Sequence, residues 1–220
     1  MAIHFYSLKR EKPNNWIICE GITEKIYLEH FLKDVIARLN LRILPMGGSK
    51  NVTRLYEYLK TPIREDDLNG KVFCLVDTDN VRPEDIGNGS SNLVIKRFNN
   101  SGTTQQTALV NLNHGEMYLT DVERSLNPLV FRETINELAQ DDEFKVTSIE
   151  NESGNSDFIH NFRNTYIQDF FKINEGANKI IFAKKYVEKE IELREVGNST
   201  NLTPKWVSTI VELFDKKSFV

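Results

Sequence analysis

The chain has 220 residues, 40% of them hydrophobic and 27% charged, enough apolar material for one large domain or a compact domain with an appended lobe. A net charge of −4 argues against a histone-like, wholly electrostatic nucleic-acid binder and leaves room for a local basic groove. No apolar run approaches the roughly 18 residues of a membrane span, and the start, Met1 to Lys12, lacks the basic-then-apolar order of a secretion signal, so no membrane contact and a cytoplasmic location are expected.

In chain order, Trp16-Ile17-Ile18-Cys19 predicts a short buried strand that ends in Glu20-Gly21. From Thr23 onward Leu28, Phe31, Leu32, Val35, Ile36 and Leu39 recur at spacings of three and four, which predicts one amphipathic helix. Arg42 to Pro45 predicts a second strand. Gly47-Gly48 then marks a tight turn, Ser49 an N-cap, and Val52, Leu55, Tyr56 and Leu59 the buried side of a second helix ending at Pro62. Lys71 to Val76 is the most apolar strand of all and runs into Asp77-Thr78-Asp79; Leu93 to Phe98 predicts a fourth. Strand alternating with helix implies a parallel sheet with right-handed crossovers.

Residues 99–113 are rich in Asn, Gly, Thr and Gln, and the chain beyond them is mainly helical in period. Leu129 to Leu138, Phe158 to Phe170 and Ile180 to Ile191 predict three helices. A last helix is expected to have Thr203 as its cap, Pro204 at its first position and Val207, Ile210, Val211 and Phe214 on its buried face. Gly197 to Asn201 reads as a loop, and Glu150 to Asp157 as an acidic loop capping the next helix.

The chemistry concentrates in the acids. Glu20 follows the first strand, and Asp77 and Asp79 follow the third; parallel strands bring all three to the same sheet edge. Carboxylates crowded together raise one another's pKa unless a cation sits among them, and an all-oxygen site suits Mg2+ or Mn2+. The Asp-x-Asp spacing points both side chains the same way in extended backbone. Taken singly, each acid is as well explained as a helix cap or a solvated turn residue. Gly21 is expected to let the backbone bend behind Glu20, and the free N–H groups of the following helix to receive a phosphate. Cys19 and Cys74 lie within apolar runs and read as small buried hydrophobes. Gly47-Gly48-Ser49-Lys50 lacks the spacing of an ATP-binding phosphate loop, although Lys50 remains a candidate for contact with a nucleic-acid phosphate. The histidines His4, His30, His114 and His160 are scattered without metal-type spacing.

Ile17-Ile18-Cys19-Glu20-Gly21-Ile22-Thr23-Glu24 and Leu75-Val76-Asp77-Thr78-Asp79 resemble the two signature motifs of the Toprim domain. That Mg2+-binding module is shared by topoisomerases, primases, overcoming-lysogenization-defect (OLD) nucleases and small ribosomal-RNA maturases. The Gly-x-Thr-Glu continuation is most similar to OLD-like and related phage-defence Toprim proteins. The resemblance implies an α/β, Rossmann-like Toprim parallel sheet flanked by helices. Residues 1–125 would form the catalytic core, and 126–220 a mainly helical C-terminal extension completing the same domain. It also implies that Glu20, Asp77 and Asp79 bind metal and act on a phosphodiester. Glu24, one helical turn later, is a weaker ligand candidate, with a surface helix position as the alternative.

Glu116 to Leu126 is similar to the acidic segment that contributes to a second metal in OLD-like proteins, through Asp121 and Glu123 with Glu123 ranked first; a capped helix start is the competing explanation. Asn178 to Lys185 is similar to a late segment carrying a functional lysine, here Lys179 or Lys184, with a solvated helix lysine as the alternative. The implied activity is a Mg2+- or Mn2+-dependent endonuclease acting on nucleic acid, DNA ahead of RNA. OLD-like nucleases commonly carry or pair with an ABC-type ATPase, and these residues hold no ATPase motif. The resemblance therefore implies the effector of an anti-phage defence system with a separate ATPase partner, and leaves a homodimer open. Three other readings stay open: an RNA-directed Toprim ribonuclease, a primase or topoisomerase fragment, and a non-catalytic module binding nucleic acid or an ATPase.

Overall fold

Period-two alternation in three apolar runs builds the parallel centre of one sheet. The computed structural model describes residues 14–61, 70–78, 89–100, 107–115, 120–139, 170–171, 174–197 and 202–216. Strands β1 (Asn15–Cys19), β2 (Leu41–Pro45), β3 (Val72–Val76), β4 (Leu93–Asn100) and β5 (Thr107–Asn111) lie in the order β2-β1-β3-β4-β5. β1 pairs in parallel with β2 and β3, and β3 with β4, while β5 runs antiparallel along β4. The sheet is therefore mixed rather than wholly parallel, and residues 107–111 form a strand within the polar stretch, where no strand was predicted. Thr107-Ala-Leu-Val-Asn111 carries little alternation of its own; pairing with the otherwise open backbone of β4 makes it a strand.

The helices are α1 (Ile22–Phe31), α2 (Lys33–Leu39), α3 (Ser49–Leu59), α4 (Pro128–Leu138), α5 (Glu175–Glu195) and α6 (Lys205–Asp215). The single helix expected from Thr23 to Leu39 is broken at Leu32, and Asn40, left-handed at φ 46°, ends α2 just before β2. The N-cap of α3 is Gly48, so Ser49 is already helical. Pro204 is the N-cap of α6 instead of its first residue, and Thr203 stands one step further out. Asn127 Oδ1 caps α4 by accepting the N–H groups of Leu129 and Val130 at 3.0 and 3.3 Å. The helix expected from Phe158 and the acidic loop before it lie outside the described residues, apart from Phe170 and Phe171.

Both sheet faces are covered. Ile17, Cys19, Phe73, Leu75, Val94 and Phe98 share one apolar cluster with Tyr27, Leu28, Phe131, Phe182, Tyr186, Trp206 and Phe214 of α1, α4, α5 and α6. The alternate strand residues Ile18, Val72, Cys74, Val76, Leu93 and Ile95 pack on Val52, Tyr56 and Leu59 of α3. At about 1.5–3 kcal/mol for each fully buried large apolar side chain, Trp206, Val207, Ile210 and Phe214 suffice to hold α6 on the sheet. Lys71 Nζ closes the far end of α6 by donating to the carbonyls of Leu213, Phe214 and Lys216. Cys19 and Cys74 are buried and unbridged. Among the described residues no helix is long and apolar enough to cross a membrane.

Candidate metal centre

The chain places β2 on one side of β1 and β3 on the other, so the residues following β1 and β3 flank the point where the strand order reverses, the crevice in which open α/β sheets bind ligands. Glu20 and Asp77 meet there: Glu20 Oε1 accepts the Asp77 backbone N–H at 2.8 Å. The Glu20 carbonyl in turn accepts the N–H groups of Gly47 and Gly48 at 2.7 and 2.9 Å. Both glycines have positive φ, 76° and 120°, as the turn requires.

Gly21 is extended at φ −137°, a conformation open to any residue, so no special bend explains it. Space does. A Cβ at this position would stand 2.9 Å from Glu24 Oε2. That oxygen accepts the Gly21 N–H at 2.9 Å and the Thr23 hydroxyl at 3.2 Å. Glu24 is thus a buried residue at the start of α1, not a surface one, and it takes the N–H of Gly21, the N-cap of that helix.

The second acidic segment arrives through backbone pairing. Thr78 N–H donates to Thr120 O at 2.8 Å and Thr120 N–H to Thr78 O at 3.1 Å. Asp121 Oδ1 then accepts the Arg124 N–H at 3.0 Å, turning the chain into a short 3-10 helix, Glu123–Ser125. The capped turn and the burial of an acid therefore coexist. Glu123 is 1% exposed, and neither of its carboxylate oxygens receives a hydrogen bond from the described residues. Lys179 Nζ of α5 lies 3.6 Å from Glu123 Oε2. Asp77 Oδ1 is likewise buried without a hydrogen-bond partner among the described residues.

Burial is the main reason the Asp77 carboxyl is held well above the usual range, with Glu24, Asp121, Glu20 and Glu123 adding to it in that order. Glu123 is pushed up to about 8, by burial first and then by Asp121, with Lys179 working the other way. Five acids thus act on one another at one sheet edge. Of the residues expected at the site, Glu20, Glu24, Asp77, Asp121, Glu123 and Lys179 come together. Lys184 does not join them: it is exposed on α5, and no described contact ties it to the acids. Asp79 lies outside the described residues.

Two neighbours escaped the sequence reading. Tyr27, three residues after Glu24 on α1, is fully buried, its hydroxyl without a hydrogen-bond partner among the described residues, and its pKa is raised by burial first and Glu123 second. The i, i+3 spacing from Glu24 was the available signal. Arg97 is a fully buried guanidinium in β4, detectable as a cation interrupting an apolar run.

Among the described residues no group of three or more His, Cys, Asp or Glu side chains is set to hold a metal ion by itself. In chemistry the donors do fit one. They are all carboxylate oxygens, Asp77 Oδ1 and both oxygens of Glu123 lack hydrogen-bond donors among the described residues, and Lys179 offsets only part of the accumulated charge.

A mostly parallel, helix-flanked sheet with carboxylates gathered at its switch point is the architecture of a Toprim domain. Residues 14–79 match the family model described as overcoming lysogenization defect protein-like, TOPRIM domain, a stretch that spans both acidic motifs and supports a Toprim domain similar to the OLD-like type there. No curated protein and no solved structure matches the chain. Toprim domains typically act on nucleic acid, as nucleases or primases, and generally bind divalent metals.

Proposed function

We propose that the protein is a Mg2+- or Mn2+-dependent nuclease that hydrolyses phosphodiester bonds in nucleic acid, DNA ahead of RNA. The observation that carries this reading is a set of buried carboxylate oxygens without hydrogen-bond donors among the described residues, Asp77 Oδ1 and both oxygens of Glu123, beside Glu20 at the switch point of the sheet.

Glu20 and Asp77, with Asp79 of the same motif, are the residues that would hold one ion; Asp121 and Glu123, supported by Glu24, would hold the other. Bound divalent ions lower the pKa of water and neutralise charge on phosphate oxygens. The Asp77 N–H steadies the Glu20 carboxylate, and Glu24 fastens the loop behind it through Gly21 and Thr23. Lys179 pairs with Glu123 in the metal-free protein; with the acids neutralised by cations, its ammonium would be released to offset charge developing on the phosphate.

The test is incubation with plasmid, single-stranded DNA and transfer RNA in Mg2+, Mn2+ or chelator, wild type beside Asp77→Ala. Metal-dependent cleavage by the wild type and none by the variant is expected. Cleavage by Asp77→Ala at the wild-type rate overturns the assignment. Cutting of transfer RNA alone would change the substrate to RNA, and failure to bind Mn2+ in calorimetry would leave a nucleic-acid-binding module. The OLD-like match supports a further step, to the effector of an anti-phage system paired with an ABC-type ATPase; co-purification of such an ATPase with the tagged chain from its native host checks it.

A further inference from the structure

Arg97 lies in the apolar run of β4, paired in register with Val76 at the end of β3, and is fully buried. Its Nη1 donates to the Thr78 hydroxyl at 2.8 Å and to Asn99 Oδ1 at 3.1 Å, and its Nη2 to the His114 carbonyl at 3.0 Å. The Thr78 hydroxyl also donates to the Phe98 carbonyl. Thr78 is the residue after Asp77, and its backbone pairs in both directions with Thr120, the residue before Asp121. By the period of two along each strand, Val76 and Arg97 belong to the sheet face that packs on α3, whereas Leu75 faces the α1 side, where Asp77 meets the acids of α1 and residues 121–123. Arg97 therefore stands on the sheet face opposite the described acids, behind the centre.

A buried guanidinium is a poor stability device: apolar residues of similar volume often do as well or better at such positions. Its planar fork is a good geometric device, since its donors are held in one rigid plane, whereas those of a lysine rotate at the end of a flexible stem. We infer that Arg97 is a positioning residue that fastens Thr78, and through the Thr78–Thr120 pairing sets the separation between the Glu20/Asp77 group and the Asp121/Glu123 group. The inference rests on the metal-centre reading above and names the residue that holds the two halves of that centre in register.

The experiment is an Mn2+ titration by calorimetry of the wild type, Arg97→Met, Arg97→Lys and Thr78→Val, with cooperative thermal unfolding as the check on folding. The wild type is expected to take up two ions. Arg97→Met should keep one binding event and weaken the other about tenfold or more, the scale on which residues supporting metal ligands act. Arg97→Lys should rescue only part of that affinity. A merely structural role would lower Tm and leave both affinities unchanged in the folded protein, and that result overturns the inference. Should Arg97→Met fail to fold, Thr78→Val, which keeps the guanidinium and removes its hydroxyl acceptor, decides by the same criterion. A metal-free readout separates this inference from the metal reading: the Tm gains of Asp77→Asn and Glu123→Gln should be non-additive in the wild-type background and additive beside Thr78→Val. If the wild type binds no Mn2+, the nuclease reading fails and this cycle alone decides on Arg97, additivity in the wild-type background overturning it.

Discussion

Glu20 and Asp77 are 57 residues apart in the chain, yet a Glu20 carboxylate oxygen accepts the Asp77 backbone N–H at 2.8 Å, locking the ends of β1 and β3 together at the point where the sheet order reverses. Because the bond uses the main chain of Asp77, the Asp77 side chain is left to the acidic cluster. Asp77→Asn should keep the bond, abolish metal-dependent cleavage, and leave the metal-free protein at least as stable as wild type, since a carboxyl whose ionisation the fold disfavours is replaced by a neutral amide. Paired plasmid-cleavage and thermal-melt measurements check this; a large fall in Tm contradicts it.

Glu123 sets the pH dependence. Its folded pKa is raised from 4.5 to about 8, so between those values the folded state retains a proton that the unfolded chain has released, and stability falls as pH rises through that window and levels off above it. At about 1.4 kcal/mol per pKa unit the effect reaches a few kcal/mol. Glu123→Gln should match the wild-type Tm at pH 5 and exceed it at pH 9 in chelator. Equal Tm values at both pH values would remove the acid from its buried site.

Divalent cations should reverse that loss. Binding to carboxyls that still hold protons must release them, so Mn2+ uptake at pH 7 is expected to liberate protons and to raise Tm more at pH 8 than at pH 5. Calorimetry in two buffers of different ionisation enthalpy measures the proton release directly. An identical apparent enthalpy in both buffers would mean that the protonated acids do not take part.

Gly21→Ala should destabilise by about 0.5–2 kcal/mol, because the added Cβ, 2.9 Å from Glu24 Oε2, displaces that carboxylate from the cap it makes on α1. A Tm drop in Gly21→Ala, relieved when Glu24 is also replaced by Ala, would identify this contact as the cause. If the drop persists in the double variant, the steric explanation is wrong.

Glu190 anchors α5 to α1. Its buried carboxylate meets His30 Nε2 at 2.9 Å and Arg194 Nε at 3.1 Å; burial works against its charge, but His30 and Arg194 together hold its pKa below the usual range. The stability from this depressed pKa is present above the unfolded value and lost as pH falls through the folded one. Glu190→Ala should cost about 1–3 kcal/mol near neutral pH, by leaving the His30 ring nitrogen and the Arg194 guanidinium without their shared acceptor. Chemical denaturation at pH 7 and pH 4 tests it, with a smaller difference expected at the lower pH.

The order of strands and helices through Val76, the acids at the strand ends and the apolar face of α3 were legible in the residue pattern, because each is a local property: a period of two or 3.6, a turn at Gly47-Gly48, a charge after an apolar run; on α5 the pattern pointed to Ile191, which is exposed, and passed over the buried Phe182. That Glu20 and Asp77 would share a sheet edge was equally legible, since parallel strands leave no other arrangement. Long-range pairing decided the rest. β5 exists because β4 offers it backbone partners. Asp121 and Glu123 reach the site because Thr120 pairs with Thr78, a contact across 42 positions that no local pattern encodes. Lys179 and Lys184 were indistinguishable as text, but five residues on a helix turn the side chain by about 140°, and only the packing of α5 against α1 and α4 determines which of them meets Glu123. The role of Gly21 was misread for the same reason: its neighbour in space is the carboxylate of Glu24, and a sequence lists neighbours only along the chain.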